Sequence, residues 1–563
     1  MKNAKNKNYY LSLDIGTDSV GYAATDENYN LLKFHGEPVW GATVFDAASL
    51  NTDRRTFRTA RRRLDRRQQR VDLLQELFAK EIGKIDPRFF IRMEESTLYP
   101  EDKTDKHTLF NDNDFTDIDY HKRYHTIHHL IDDLMKSSEP HDVRLVYLAC
   151  AWLVAHRGHF LLNFNVETAK DITDFGKTYD EFLNYFENNG GLPWNKNVDK
   201  DKLAEILKKE ATPKQKYKEL CKLICNDKES PTDSEDTEET PFKKEGILKL
   251  LAGDKCTPSD LFYEENSNEL ETEISLKSDE EAEFNEGDNI ITALRKLYYW
   301  APLTKILNGK NSISKAKTEI YDQHKKDLAF LKHIVKTYIP EQYDEVFRRT
   351  NNDNYAAYSH HTDEPHEAKW HKDKEKFSKF ILEIIKEIEP NEADKAQFED
   401  MKQRLGTRKF MPKQKDGDNC TIPQQLYFLE LKEILKNASE YLPFLNETDK
   451  DGISTKSKIE TIFSFRIPYF VGPLNGNSDK AWFQRNDNME KEKIYPWNFN
   501  KIVDLEASER AFIDKMRNKC TYLPWERVLP KDSLAYHRFE VLNEINNLRI
   551  NGEKISVELK QEI

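Results

Sequence analysis

Between Arg54 and Arg70 the chain reads RRTFRTARRRLDRRQQR: nine arginines in seventeen residues, with Asp65 the only acid, for a local charge of +8. A block of one charge sign this dense cannot enter an apolar core. It must stay in solvent or face a polyanion. On a helical wheel, Phe57, Ala60, Leu64 and Val71 fall within a stripe roughly 60° wide, and the arginines spread over roughly 240° of the rest. Arginine is a good helix former, and neither Gly nor Pro interrupts the run. A solvated helix of a bundle would alternate signs around its polar face. The spacing therefore predicts a helix pinned along one thin apolar edge and open to phosphate on its other sides.

The acidity of the whole chain does not oppose this. The formal charge is -13 over 563 residues. Residues 229–239 hold six acids and no base, and residues 264–288 hold eleven acids and only Lys277. These two segments carry -16 together, which leaves +3 for everything else. They read as solvated loops without phosphate contacts. A hydrophobic fraction of 37%, a charged fraction of 33% and only 19 glycines favour long helices with wide solvated faces. The length implies several domains.

Residues 9–15 alternate apolar and polar up to Gly16, residues 20–25 form a second strand, 26–30 a turn, and 31–40 open a further strand. This is a β-meander. After Asp53 the period becomes helical: 71–80 continue the arginine helix, and 123–136, 143–155, 203–225, 290–308, 315–338, 373–388, 424–437, 455–464 and 506–517 follow. No fixed-period repeat is present, and no apolar run suits a signal peptide or a membrane span. Six scattered cysteines without a CxxC pair read as buried free thiols in a reducing, cytosolic protein. The histidine groups His121, His125, His128, His129 and His360, His361, His366, His371 lack the partners a zinc site requires and read as surface or interface residues.

LDIGTDSVG, residues 13–21, places Asp14 at a strand end beside Gly16. A carboxylate so placed suits a divalent metal in a ribonuclease-H-like fold, where two metals clamp a phosphodiester. One Asp does not complete such a site. The same string also resembles the first phosphate loop of actin-like sugar kinases and ATPases. That reading needs a second phosphate loop and an adenosine site, which the sequence lacks, and leaves the arginines unexplained. A non-enzymatic RNA-binding module would explain the arginines but leave Asp14 idle. Three further segments pair Arg or aromatic residues with rigid turns: Arg157 and His159 around Gly158, Arg466 and Tyr469 beside Pro468, and Trp497 with Asn498. Arg beside an aromatic ring suits clamping and stacking on nucleic acid.

In order, these segments resemble one family, the type II CRISPR-associated RNA-guided DNA endonucleases. LDIGTDSVGYA is similar to the first RuvC segment and RTARRRLDRRQQR to the arginine-rich bridge helix. LVAHRGHFLL, EIYDQHKKDLAFLK, FSFRIPYFVGPL, PWNFNKIVD and VLPKDSLAYHRF are similar to parts of the recognition lobe. The resemblance implies a mostly α multidomain recognition lobe, an N-terminal β-meander from a ribonuclease-H-like (RuvC) fold and a long bridge helix. Its implied divisions are 1–53 for the first RuvC segment and 54–75 for the bridge helix. Recognition domain 1 takes 76–168 and 306–518, recognition domain 2 takes 169–305 with the acidic insert, and 519–563 begins recognition domain 3.

Asp14 would then be a catalytic, metal-binding carboxylate for Mg2+ or Mn2+. Arg54, Arg55, Arg58, Arg61, Arg62, Arg63, Arg66, Arg67 and Arg70 would grip guide RNA, whether crRNA with tracrRNA or a single guide. Arg157 and His159 would contact the repeat-derived duplex. Arg466, Tyr469, Trp497 and Asn518 would lie along the heteroduplex with target DNA. In this family the protein reads duplex shape while base pairing reads sequence. The resemblance further implies a monomer in the bacterial cytoplasm and antiviral defence. An anti-CRISPR inhibitor protein that mimics nucleic acid could occupy the same basic surface. The family's remaining RuvC segments, HNH nuclease domain and PAM-reading domain have no counterpart here. The expectation is an N-terminal portion that binds RNA without cleaving DNA.

Overall fold

The computed structural model describes residues 8–16, 18–46, 51–94, 109–136, 139–160, 169–194, 198–209, 211–225, 240–263, 273–276, 290–348, 353–359, 370–414, 422–471, 483–486, 492–516, 519–520, 523, 525–530, 533–550 and 553–562. The acidic segment 229–239 and most of 264–288 lie outside them, as do Thr17, His360, His361, His366, Cys420 and Asn518.

The chain opens with antiparallel strands. β1 (Tyr10–Ile15) and β2 (Ser19–Thr25) form a hairpin in which Asp14 faces Gly21. β3 (Lys33–Phe34) and β4 (Glu37–Pro38) make a two-residue hairpin turned at His35 and Gly36, both at positive φ, the twist such a tight turn needs. β5 (Trp40–Val44) returns to β2, so the sheet order is β1-β2-β5. Leu11, Leu13 and Ile15 of β1 remain exposed.

α1 (Asn51–Ile85) is 35 residues long and runs ten residues past position 75. α2 (Phe89–Glu94), α3 (Asp117–Arg123), α4 (Ile127–Lys136) and α5 (Val143–Ala155) follow. The helix expected over 123–136 begins only at Ile127, and a separate helix ends at Arg123. Tyr124 leaves the helix at φ -122°, buries its ring and donates its hydroxyl to Asp133 Oδ2 at 2.8 Å. α6 (Ala169–Thr173) follows, and α7 (Phe175–Asn188), α8 (Lys200–Lys208), α9 (Pro213–Ile224), α10 (Lys244–Leu251), α11 (Pro258–Leu261) and α12 (Ile290–Leu307) supply one buried cluster that runs from Tyr179 to Ala301. Here too an expected single helix, 203–225, is broken. Pro213 cannot extend a preceding helix, and Thr212 caps α9 by accepting from the Gln215 N–H at 3.3 Å.

α13 (Ile313–Tyr338), α14 (Tyr343–Phe347), α15 (Tyr355–Tyr358), α16 (Trp370–Ile384) and α17 (Lys395–Gly406) enclose a second cluster from Phe330 to Met411. α18 (Gln424–Tyr441) then packs against α4 and α5. A buried polar joint locks α4, α13 and α18. Glu430 Oε1 accepts the Ser314 N–H at 2.7 Å, and its Oε2 accepts the Ser314 hydroxyl at 2.8 Å. His128 Nδ1 lies 3.1 Å from the same Ser314 Oγ, so the hydroxyl links the carboxyl group to the imidazole. Burial pushes Glu430 up to about 7 and His128 down to about 3. His128 is therefore a core histidine, unlike the exposed His121 and His125 of its group. Cys150, Cys221, Cys225 and Cys256 are buried free thiols, as the sequence suggests, whereas Cys520 is free but only half-buried.

Residues Asn446–Ile563 form a separate compact unit. Its helices are α19 (Thr455–Ser464), α20 (Phe499–Ile502), α21 (Leu505–Met516), α22 (Leu534–Asn547) and α23 (Val557–Glu562). Among the described residues, no helix is long and apolar enough to cross a membrane.

Candidate nucleic-acid interface

The two halves of α1 have opposite surroundings. Leu74, Phe78 and Ile82, four residues apart on one face, are each 0% exposed. Phe78 meets Tyr147 of α5 edge to face at 5.5 Å and Phe444 at 5.3 Å. Farther back, Phe57 is 70% and Leu64 61% exposed. This corrects the expectation of a buried seam along the arginine run: the seam exists, but only its continuation beyond Val71 is covered. The reason is length. At about 1.5 Å per residue α1 spans about 52 Å, whereas the 13-residue α5 spans about 20 Å. The N-terminal part of α1 projects past the end of its support, carrying exposed Arg58, Arg61, Arg62 and Arg63. Arg54 and Arg55 lie in the same helix.

The two helices run antiparallel, so the C-terminus of α5 reaches Arg67 and Arg70. Arg70 donates its Nε–H to the Val154 carbonyl at 3.3 Å, and Arg67 Nη2 lies 3.0 Å from His156 Nε2. A guanidinium only donates, so His156 accepts through Nε2 and donates Nδ1–H to the Trp152 carbonyl at 3.0 Å. The imidazole also stacks on Trp152, with centroids 4.8 Å apart. The last carbonyls of a helix have no partner of their own and carry partial negative charge, so cations there are favoured. Burial, followed by the charges of Arg67 and Arg66, pushes Arg70 down to about 10, still cationic at neutral pH.

Just past α5, Gly158 sits at φ +81°, and a Cβ there would lie 2.5 Å from the Ile422 carbonyl oxygen. Only glycine allows this approach. It lets the His159 N–H donate to the Ile422 carbonyl and the Gln424 N–H to the His159 carbonyl, both at 2.9 Å. The clasp joins segments 263 residues apart in sequence. His159 is only 8% exposed, and burial, with Arg295 nearby, pushes it down to about 4. Its imidazole is enclosed and stays neutral near pH 7, so it offers no charge to phosphate. Arg157 is half-buried with its guanidinium 4.5 Å from the Phe160 ring centroid.

The other end of α1 is anchored by charge. Asp86 pairs with Arg92 and lies 3.2 Å from Arg144 Nη1. The buried Arg144 also binds Asp142 at 2.6 Å and pairs with Asp112. Burial alone would raise the Asp86 carboxyl, but its bonds from Arg92 and Arg144 hold it below the usual range.

Asp14 is exposed at the end of β1, where Gly16 N–H closes the turn onto the Ser19 carbonyl at 2.8 Å. Among the described residues, no group of three or more His, Cys, Asp or Glu side chains could hold a metal. A single carboxylate does not fit a divalent-cation site, which draws its oxygens from several ligands. No catalytic step is therefore assigned to these residues.

In the second unit, the two sequence segments expected along a heteroduplex come together. Phe465 packs edge to face on Phe499 at 4.9 Å, in a small core with Val471 and Val503. Arg466 is exposed beside it. Trp497 is half-buried and stacks on Tyr495 at 4.7 Å, with Lys458 Nζ 5.4 Å from its ring. Asn498 holds that turn, accepting from the Tyr495 N–H at 2.7 Å. Tyr469 begins a single 3₁₀ turn, Tyr469–Val471.

A small N-terminal sheet followed by a long arginine helix, buried along its C-terminal half and exposed along its arginine run, defines a mostly helical protein with a basic arm. Residues 54–86 match the family model of the bridge helix of CRISPR-associated endonuclease Cas9, and residues 175–563 match the model of its REC lobe. The chain is 34% identical over 599 residues to the CRISPR-associated endonuclease Cas9 of Streptococcus mutans serotype c, covering 99% of this chain and 40% of that protein. It is 34% identical over 580 residues to the CRISPR-associated endonuclease Cas9 of Listeria innocua serovar 6a, covering 96% and 40%. The chain belongs to the Cas9 family. It spans about 40% of the length of these relatives.

Proposed function

We propose that this chain is the guide-RNA-holding part of an RNA-guided, metal-dependent DNA endonuclease of CRISPR antiviral defence. One observation carries the reading: Arg58, Arg61, Arg62 and Arg63 are exposed on a helix whose far half is fixed in the core. An anchored rod presents its charges in a set geometry, so little ordering entropy is lost when phosphates bind. Bidentate Arg–phosphate pairs then supply affinity without reading base sequence. The family membership supports guide RNA and target DNA as the partners. Arg157, Arg466 and Trp497 are the further contacts we assign to RNA and heteroduplex.

Cleavage is not assigned to the 563 residues alone. Among the described residues Asp14 stands without the converging ligands that Mg2+ or Mn2+ requires, and the apolar β1 residues around it are exposed. A three-stranded sheet normally buries one such face, so further strands and carboxylates would complete a RuvC-like fold here. Two titrations test the reading: the chain against guide RNA and against ATP. RNA binding without nucleotide binding supports it. ATP binding would favour the actin-like reading. Metal-dependent DNA cleavage by this chain, lost in Asp14→Ala, would overturn the division between holding and cutting.

A further inference from the structure

The described arginines of α1 do not have equivalent surroundings, and we infer that Arg67 and Arg70 are positioning residues that clamp the arginine helix to α5, while Arg58, Arg61 and Arg62 beyond α5 neutralise phosphate. This rests on the RNA-holding reading above and divides its labour.

Both guanidinium groups already have a donor committed at the end of α5. Arg70 spends its Nε–H on the Val154 carbonyl, an acceptor at the end of α5. Arg67 spends Nη2 on His156, whose ring is fixed by the Trp152 carbonyl and the Trp152 ring. Both arginines lie where the cover of α1 ends: Leu74 is 0% exposed and Leu64 61%. Drawing either guanidinium toward a phosphate would uncap α5 and release the last fixed point of the projecting segment. Arg58, Arg61 and Arg62, by contrast, lie past the end of α5 and are exposed. The clamp needs neutral His156, because a protonated ring has no lone pair to offer Arg67.

Salt dependence separates the two roles. Each phosphate neutralised contributes roughly 0.7 to 0.9 to the slope of log affinity against log salt. A clamp contributes to affinity at every salt concentration but not to that slope. The experiment titrates the full chain with a labelled single-stranded RNA of about 20 nucleotides, the guide length of this family. Arg62→Gln should lower the slope by about 0.7. Arg70→Gln and His156→Ala should each weaken binding several-fold in parallel with wild type, with the slope unchanged. His156→Ala is the more telling variant, since it leaves every charge on α1 in place. Without RNA, both clamp variants should speed amide hydrogen exchange over residues 58–70, a readout that stands even if RNA binding fails. The inference is overturned if Arg70→Gln lowers the slope as much as Arg62→Gln, or if neither clamp variant changes exchange.

Discussion

Arg70 caps a helix that is not its own: its Nε–H reaches the Val154 carbonyl across 84 positions of sequence. That contact marks the point where the arginine helix leaves its support. On one side Leu74, Phe78 and Ile82 are enclosed; on the other Phe57 and Leu64 stand in solvent. The placement of one helix end thus decides which arginines face outward.

Phe78 is the central apolar contact of the anchored half, touching both Tyr147 and Phe444. Phe78→Ala should cost about 3–5 kcal/mol of stability through lost burial and a cavity. Denaturant unfolding checks this, and RNA affinity should fall with it as the rod loosens.

Gly158 and Gly83 make a matched pair. Alanine at 158 meets both a positive φ of +81° and the Ile422 oxygen at 2.5 Å. The loss should be on the order of 2–4 kcal/mol. Gly83 lies within α1, and nothing comes within 4 Å of an added Cβ. Gly83→Ala should therefore stabilise by up to about 1 kcal/mol. Thermal unfolding should move in opposite directions for the two variants.

Arg144 is enclosed by three carboxylates, Asp86, Asp112 and Asp142. Arg144→Ala should destabilise by about 3–5 kcal/mol, because partly buried acids are left uncompensated. The part of this loss that comes from Asp86, which Arg92 and Arg144 hold below the usual carboxylate range, should shrink as pH falls through that range, and denaturant melts at about pH 3 and pH 7 compare the two conditions.

Glu430 gives a pH signature of opposite sense to that of a salt-bridged acid. Its ordinary value is 4.5 and burial raises it to about 7 in the folded state. Between those values the folded chain keeps a proton that the unfolded chain releases. The stability from this group is full below pH 4.5 and is lost as pH rises through about 7. Wild-type stability minus that of Glu430→Gln should fall by roughly 3 kcal/mol from pH 4.5 to 8. A difference that stays constant with pH would show that Glu430 remains charged throughout.

Local signals survived into the structure where a helix or strand is decided by its own residues. The strands at 9–15 and 20–25 and the helix at 143–155 follow from periodicity alone. The breaks at Tyr124 and Pro213 were hidden beneath a continuous apolar period, although Thr212-Pro213 is a start signal that could have been heeded. What periodicity cannot report is which partner covers a face. The exposure of Leu64 depends on where α5 stops. The burial of His159 depends on a clasp with Ile422 and Gln424, far along the chain. The roles of Val154 and His156 are equally invisible: both lie in LVAHRGHFLL, but nothing in that string shows that they meet Arg70 and Arg67. The Ser314–Glu430 joint spans 116 positions and has no local signature at all.

The most direct test of the central claim is the salt dependence of RNA binding by the full chain. Wild type is compared with the triple variant Arg58→Gln, Arg61→Gln, Arg62→Gln. If these exposed arginines hold the RNA backbone, wild-type affinity falls steeply with salt and the triple variant loses roughly 2 to 3 from that slope. Equal slopes for the two proteins would contradict the account.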